Sequence, residues 1–212
     1  MNFLDSKFIA IEGLDGSGKT HSINIIKKIF NQYQIPYIIV REPGSTPLSE
    51  KIRKIIKNDN IYENINKKTI LLLIYAARMQ LIENLIQPAL KNNIWVIADR
   101  YVLSSYAYQG GGFKIHQSII QQINKIVVKK LLPHLTIYLD VIPKIGLQRV
   151  LRRGNIDAIE KNNLNFFIRI RNMYLKYIKK NKNIIKINAN LKKNIVHENI
   201  KNTLIKWLKK CI

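Results

Sequence analysis

The chain carries almost no sulfur and little acid. Its one cysteine, Cys211, cannot form an intrachain disulfide or assemble a thiolate metal cluster, so a reducing, cytoplasmic setting is expected. Long apolar runs are also missing. The longest, Ile70 to Ala77, is far shorter than the roughly 18 residues that suggest a membrane span, and a soluble protein with no membrane partner is expected. The first residues hold Asp5 and pass straight into a β-branched run, without the basic and apolar regions of a secretory signal. Asp and Glu number only 13 against 36 Lys and Arg, giving a formal charge of +23. Such an excess draws attention to nucleic-acid partners. Here the lysines are dispersed, as at Lys27, Lys51, Lys91, Lys129, Lys179 and Lys209, without the interleaved aromatics of a single-strand groove. Lys, Asn and Ile all use A/T-rich codons, so base bias competes with selection for binding as the source of the excess. No specific nucleic-acid partner is expected.

What the chain does have is alternation. Short β-branched runs at Phe8 to Ile11, Tyr37 to Val40, Ile94 to Ala98, Leu135 to Leu139 and Ile184 to Ile187 are separated by helical segments. Those segments span Lys19 to Gln32, Pro47 to Lys57, Asn66 to Lys91, His116 to Lys130, Pro143 to Arg152, Leu164 to Lys180 and Lys192 to Lys210. The pattern predicts βαβ units and an α/β fold: one 1–212 domain with a five-stranded parallel sheet in a three-layer α/β/α arrangement. The runs are apolar on both parities, which predicts strands covered on both faces.

Gly13-Leu14-Asp15-Gly16-Ser17-Gly18-Lys19-Thr20 fits G-x-x-x-x-G-K-[ST], placed after the first predicted strand and at the start of a predicted helix. Glycines allow successive backbone N–H groups to surround a phosphate, and the helix N-terminus adds partial positive charge. Lys19 would reach the β- and γ-phosphates and Thr20 would place its hydroxyl on Mg²⁺. The fold implied is that of a P-loop NTPase. No Asn-Lys-x-Asp segment supports guanine recognition, since Asn181-Lys182-Asn183-Ile184 lacks the carboxylate.

Arg78 occupies an unusual place for a charge, sharing a predicted helix face with Leu71, Ile74, Leu81, Ile82 and Leu85. It needs acceptors, supplied by a ligand, by solvent at the end of a snorkelling side chain, or by a core carboxylate. Asp99-Arg100-Tyr101 follows a predicted strand, at the carboxyl edge where open α/β sheets bind ligands.

Together with Arg41-Glu42-Pro43-Gly44, Tyr75-Ala76-Ala77-Arg78 and Ala107-Tyr108-Gln109-Gly110, these segments stand in the order found in thymidylate kinases, which the chain resembles along nearly its whole length. The resemblance implies transfer of the γ-phosphoryl group of ATP to dTMP, with Mg²⁺, by a homodimer. It implies that Arg78 faces thymine, that Arg41 and Arg100 hold the acceptor phosphate, and that Asp99 organises Mg²⁺ through water. Asp15 would lie near the sugar 3′-hydroxyl, and Ser105, Tyr108 and Gln109 would line the base and sugar pocket, with Gly110 to Gly112 as a flexible exit. Core packing is the other reading of Tyr108. Ile74 stands where the family often carries a stacking aromatic, and the resemblance includes a cis peptide often seen before Pro43.

Arg149, Arg152 and Arg153 recur at helical spacing before Gly154 and an acidic Asp157/Glu160 segment. They form either a solvated basic face or a kinase lid at about 149–161. The family draws its catalytic arginine from the P-loop or the lid. Gly16 leaves no arginine in this loop, so the lid type is implied, with Arg153 catalytic beside Lys19 and Arg100, and Arg149 on the ATP side. Glu12, beside the loop, has two roles open to it: acting on Mg²⁺ or orienting an arginine.

Overall fold

The computed structural model describes residues 5–57, 65–154 and 156–211. Most of the expected turn between Lys57 and Lys68, and residue 155 in the expected lid, lie outside them. Five strands form one sheet: β1 (Phe8–Gly13), β2 (Tyr37–Arg41), β3 (Trp95–Asp99), β4 (Leu135–Asp140) and β5 (Ile184–Asn188). The order is β2-β3-β1-β4-β5 and every pairing is parallel. β1 and β4 are buried along their whole length and β3 up to Asp99, which explains their apolar residues on both parities. The edge strands β2 and β5 are half covered, and Ile39 is exposed, so the expectation of full cover holds for the central strands only.

Helices α1 (Lys19–Gln32) and α2 (Pro47–Lys57) follow β1 and β2. α3 (Lys67–Leu81) continues through a π-helical turn, Ile82–Ile86, into α4 (Gln87–Lys91). Pro88, which has no N–H to donate, sits just beyond that turn, where a changed hydrogen-bond register is least disruptive. The continuous helix from Lys67 to Lys91 is long and apolar enough to cross a membrane, contrary to what the short run Ile70 to Ala77 suggests. Leu71, Tyr75, Leu81, Ile82 and Ile86 instead pack it into the core against β1 and β3.

α5 (Val102–Ser105) runs into a second π-helical segment, Tyr106–Gly112, and α6 (Gln117–Val127) follows. α7 (Pro143–Arg153), α8 (Leu164–Ile178) and α9 (Lys193–Leu208) complete the layers. One core cluster joins α1, α8 and α9 to the sheet through Ile26, Phe30, Ile170, Tyr174, Ile200 and Leu204. Gly111 and Gly112 lie directly on α8: a Cβ on Gly111 would stand 2.9 Å from the Arg169 carbonyl oxygen, and one on Gly112 would stand 2.6 Å from the Phe166 ring. The glycine run is therefore a close-packed contact and not a flexible exit.

Candidate active site

The carboxyl ends of β1, β2 and β3 place the P-loop, the Glu42-Pro43 corner and Arg100 along one edge. Gly13, Gly16 and Gly18 have φ of 149°, 75° and 97°, the backbone freedom the loop needs to curl. Lys19 is buried and donates to the Gly13 and Leu14 carbonyls at 3.3 and 3.1 Å. Burial and the neighbouring Arg100 cation pull its ammonium below the ordinary lysine value. Ser17 Oγ is buried with no hydrogen-bond partner, while Leu14 packs inward and Thr20 is exposed at the start of α1.

Arg100 is the centre of the edge. Its φ is 73°, a left-handed conformation that non-glycine residues rarely hold without outside support. The support is a set of four contacts: Nη1 donates to the Gly13 carbonyl at 2.8 Å and Ser104 Oγ at 3.2 Å, and Nη2 to Asp15 Oδ1 at 2.6 Å and Tyr108 Oη at 3.1 Å. Tyr108 in turn donates to Asp15 Oδ2 at 2.9 Å. Burial alone would raise the Asp15 carboxyl, but Arg100 and Lys19 hold it well below the usual carboxylate range. Tyr108 is thus a polar member of the site as well as a core ring.

Behind this layer Glu12 is fully buried, accepting from the Tyr101 and Ser104 N–H groups and from the Ser104 and Tyr174 hydroxyls at 2.6 to 3.1 Å. Of the two roles open to it, the one realised is orientation: it fixes Ser104, which accepts from Arg100.

A pocket opens beside Arg100, lined by Asp15, Pro43, Arg53, Ile74, Arg78, Ser105, Tyr108 and Gln109, and also by Lys57, Asp157 and Ile159. The Glu42-Pro43 peptide is cis. Arg78 pairs with Glu42 inside the protein: Nε lies 2.9 and 3.0 Å from the carboxylate oxygens and Nη2 lies 2.6 Å from Oε2. Burial would lower the Arg78 guanidinium, but the Glu42 carboxylate more than offsets this and holds it above its ordinary range. Its Nη1 is buried without a partner. Of the acceptors considered for Arg78, the core carboxylate is present, and Nη1 is left as an unfilled donor.

Arg41 does not line this pocket. Its guanidinium turns outward to Glu50, with Nη2 to Oε2 at 2.9 Å, and Glu50 also accepts the Ser45 N–H at 2.7 Å. In this arrangement Arg41 is paired with Glu50 on the Gly44-Ser45 turn and stands outside the pocket lining. Arg53, from the buried side of α2, stands in the pocket instead, donating to the Pro43 carbonyl at 2.8 Å. The signal for it was available: Arg53 lies four residues after Ser49 and three before Ile56, both buried, the same offsets that single out Arg78.

On the other side of the P-loop, a Cβ on Gly16 would meet the Gly146 carbonyl oxygen at 2.2 Å, so the loop rests on the backbone of α7 and no side chain fits at position 16. Arg149 crosses the junction, donating to the Gly16 carbonyl at 3.2 Å and the Ala189 carbonyl at 3.1 Å. Arg152 is exposed, and Arg153 is held by both oxygens of the buried Glu160 at 2.8 and 2.9 Å. Asp99, at the end of β3, has a buried Oδ1 without a partner. With the exposed Thr20 hydroxyl it supplies the oxygen donors that suit a hard cation. Among the described residues no cluster of three or more His, Cys, Asp or Glu could cage a metal alone, so phosphate oxygens and water would have to complete the shell.

A phosphate-binding loop beside an arginine-lined pocket is the arrangement of a P-loop nucleotide kinase. Comparison with known proteins narrows the class. A family model described as thymidylate kinase matches residues 11–200. The thymidylate kinase of Buchnera aphidicola subsp. Schizaphis graminum is 53% identical over 206 residues, 97% of each chain. That of Wigglesworthia glossinidia brevipalpis is 42% identical across 99% of this chain and 100% of its own length, and that of Vibrio campbellii is 42% identical over 97% and 98%. The chain belongs to the thymidylate kinase family.

Proposed function

We propose that the residues gathered at this edge carry out the family reaction, phosphorylation of dTMP to dTDP by ATP, with dTMP in the Arg53/Arg78 pocket and the ATP phosphates on the P-loop. The observation that carries the assignment is the position of Arg100, which touches the Gly13 carbonyl of the P-loop while lining the neighbouring pocket. Two phosphates meet at that guanidinium. The acceptor oxygen is already ionised near neutral pH, so positioning and cationic charge do the work and no general base is needed.

Arg53 and Arg100 hold the acceptor phosphate, and Asp15, fixed by Arg100 and Tyr108, accepts from the sugar hydroxyl. Arg78 Nη1 and Gln109 meet the polar edge of thymine, with Pro43, Ile74 and Ser105 around it. Lys19 exchanges its carbonyl partners for the β- and γ-phosphates, and the loop N–H groups of residues 13–20 bind their oxygens. Thr20 and Asp99 would hold Mg²⁺, which neutralises phosphate charge when bound. Arg149 binds on the ATP side. Arg153, in a lid at about 149–161 of a single domain, exchanges Glu160 for the transferring phosphoryl group.

The setting proposed is the cytoplasm, with no specific nucleic-acid or membrane partner. A homodimer is proposed through the outer face of α3, where Leu72 and Met79 are exposed two turns apart. Arg78→Lys tests the acceptor pocket, since it keeps a cation beside Glu42 but loses the guanidinium fork. Calorimetry should show dTMP affinity falling about tenfold, the loss expected for one polar base contact, with affinity for an ATP analogue unchanged. Equal losses for both nucleotides would contradict the assignment.

A further inference from the structure

The aliphatic side chain at position 74 has a counterpart in the lid. Ile74 packs with Ile52, Ile56 and Ala77, and Ile159 lies against this small cluster while lining the same pocket. The turn that carries Ile159 is built to hold it there. Asp157 Oδ1 accepts the N–H groups of Ile159 and Glu160, each at 3.0 Å, and Glu160 Oε2 accepts the Asp157 N–H at 3.1 Å. This is the reciprocal arrangement of a capping box, closed on a single turn. The other Asp157 oxygen, Oδ2, takes Lys57 Nζ at 2.5 Å and fastens the turn to α2. Glu160 also holds Arg153, so one compact unit joins Ile159, the α2 anchor and the lid arginine.

We propose that Ile159 is a specificity-determining residue for the acceptor. With Ile74 it forms an aliphatic clamp for the nucleobase, one jaw fixed on α3 and the other carried by the lid. The inference rests on the reading of this pocket as the dTMP site. An apolar base face buried between branched side chains gains contact area only when the lid turn is in place, so base occupancy and lid position favour each other.

The test is calorimetric titration of the full chain with dTMP alone and, separately, with a non-hydrolysable ATP analogue. Ile159→Ala should weaken dTMP binding about tenfold and Ile159→Val about twofold, less than a fully buried side chain would lose because Ile159 is only partly buried. Affinity for the ATP analogue should not change. Ile74→Ala should also weaken dTMP, and the double variant should lose less than the product of the two single effects, because the residues share one contact. Wild-type dTMP affinity in Ile159→Ala beside weakened binding in Ile74→Ala would overturn the clamp and leave the pocket assignment standing. Unchanged dTMP affinity in both would overturn the pocket assignment and the clamp with it. An equal loss of dTMP and ATP-analogue affinity in Ile159→Ala would also overturn it.

Discussion

Arg41 and Arg53 divide roles that the family resemblance assigns to the first of them. Arg41 closes the end of β2 yet is neutralised by Glu50, whereas Arg53 reaches the pocket from α2. Arg53→Ala should therefore raise the KM for dTMP about tenfold or more, the loss of one charge-assisted contact, while Arg41→Ala should stay within about threefold. Steady-state kinetics on the two variants separates them, and the reverse ranking would reinstate Arg41. Asp15 makes a prediction about pH. Its carboxyl ordinarily titrates near 3.8 and is held lower in the folded chain by Arg100 and Lys19, against the opposing effect of burial. A depressed carboxyl stabilises the fold fully above its unfolded value and loses that contribution as the pH falls through the folded one. Urea melts should show Asp15→Asn less stable by about 2 kcal/mol at neutral pH, with the gap narrowing below about pH 4. A gap independent of pH would exclude the charge as its source. Lys19, Arg100 and Asp15 were legible because a motif or a strand end fixes their position. Arg53 left only a helical offset from Ser49 and Ile56, on an ordinary amphipathic helix where no motif marks it.

Among the elements, the junction of P-loop and α7 is the least compliant. A Cβ on Gly146 would lie 2.8 Å from the Asp15 carbonyl oxygen, backbone against backbone, with no flexible side chain to yield. Gly146→Ala should displace the phosphate loop and raise the KM for ATP about tenfold or more, because small misplacements at a reacting centre are costly. The measurement is ATP kinetics at saturating dTMP, and an unchanged KM would show that the contact does not position the loop. All five strands and seven helical segments were readable from β-branched runs and apolar offsets, within a few residues of the observed α1, α2, α6, α7, α8 and α9 and of the continuous helix from α3 to α4. The π-helical segments at Ile82–Ile86 and Tyr106–Gly112 and the short α5 were not. The second π-helical segment lies where Gly111 and Gly112 admit α8, and spacing along the chain carries no trace of that partner.

For the whole molecule, the β2-β3-β1-β4-β5 order brings the ends of β1, β2 and β3 side by side, so segments far apart in sequence meet at Arg100. The parallel sheet followed from alternation, but strand order did not, since alternation is compatible with other orders. The formal charge of +23 surrounds this edge with a field that favours anionic nucleotides whatever its origin in composition. The central claim is that two nucleotides meet phosphate to phosphate at Arg100. It is tested most directly by incubating the folded chain with MgATP and dTMP and quantifying nucleotides by chromatography. Equal amounts of dTDP and ADP should appear, with the rate reduced by about a hundredfold or more in Lys19→Ala and Arg100→Ala. Recovery of dTMP unaltered, or turnover untouched by both substitutions, would contradict the account.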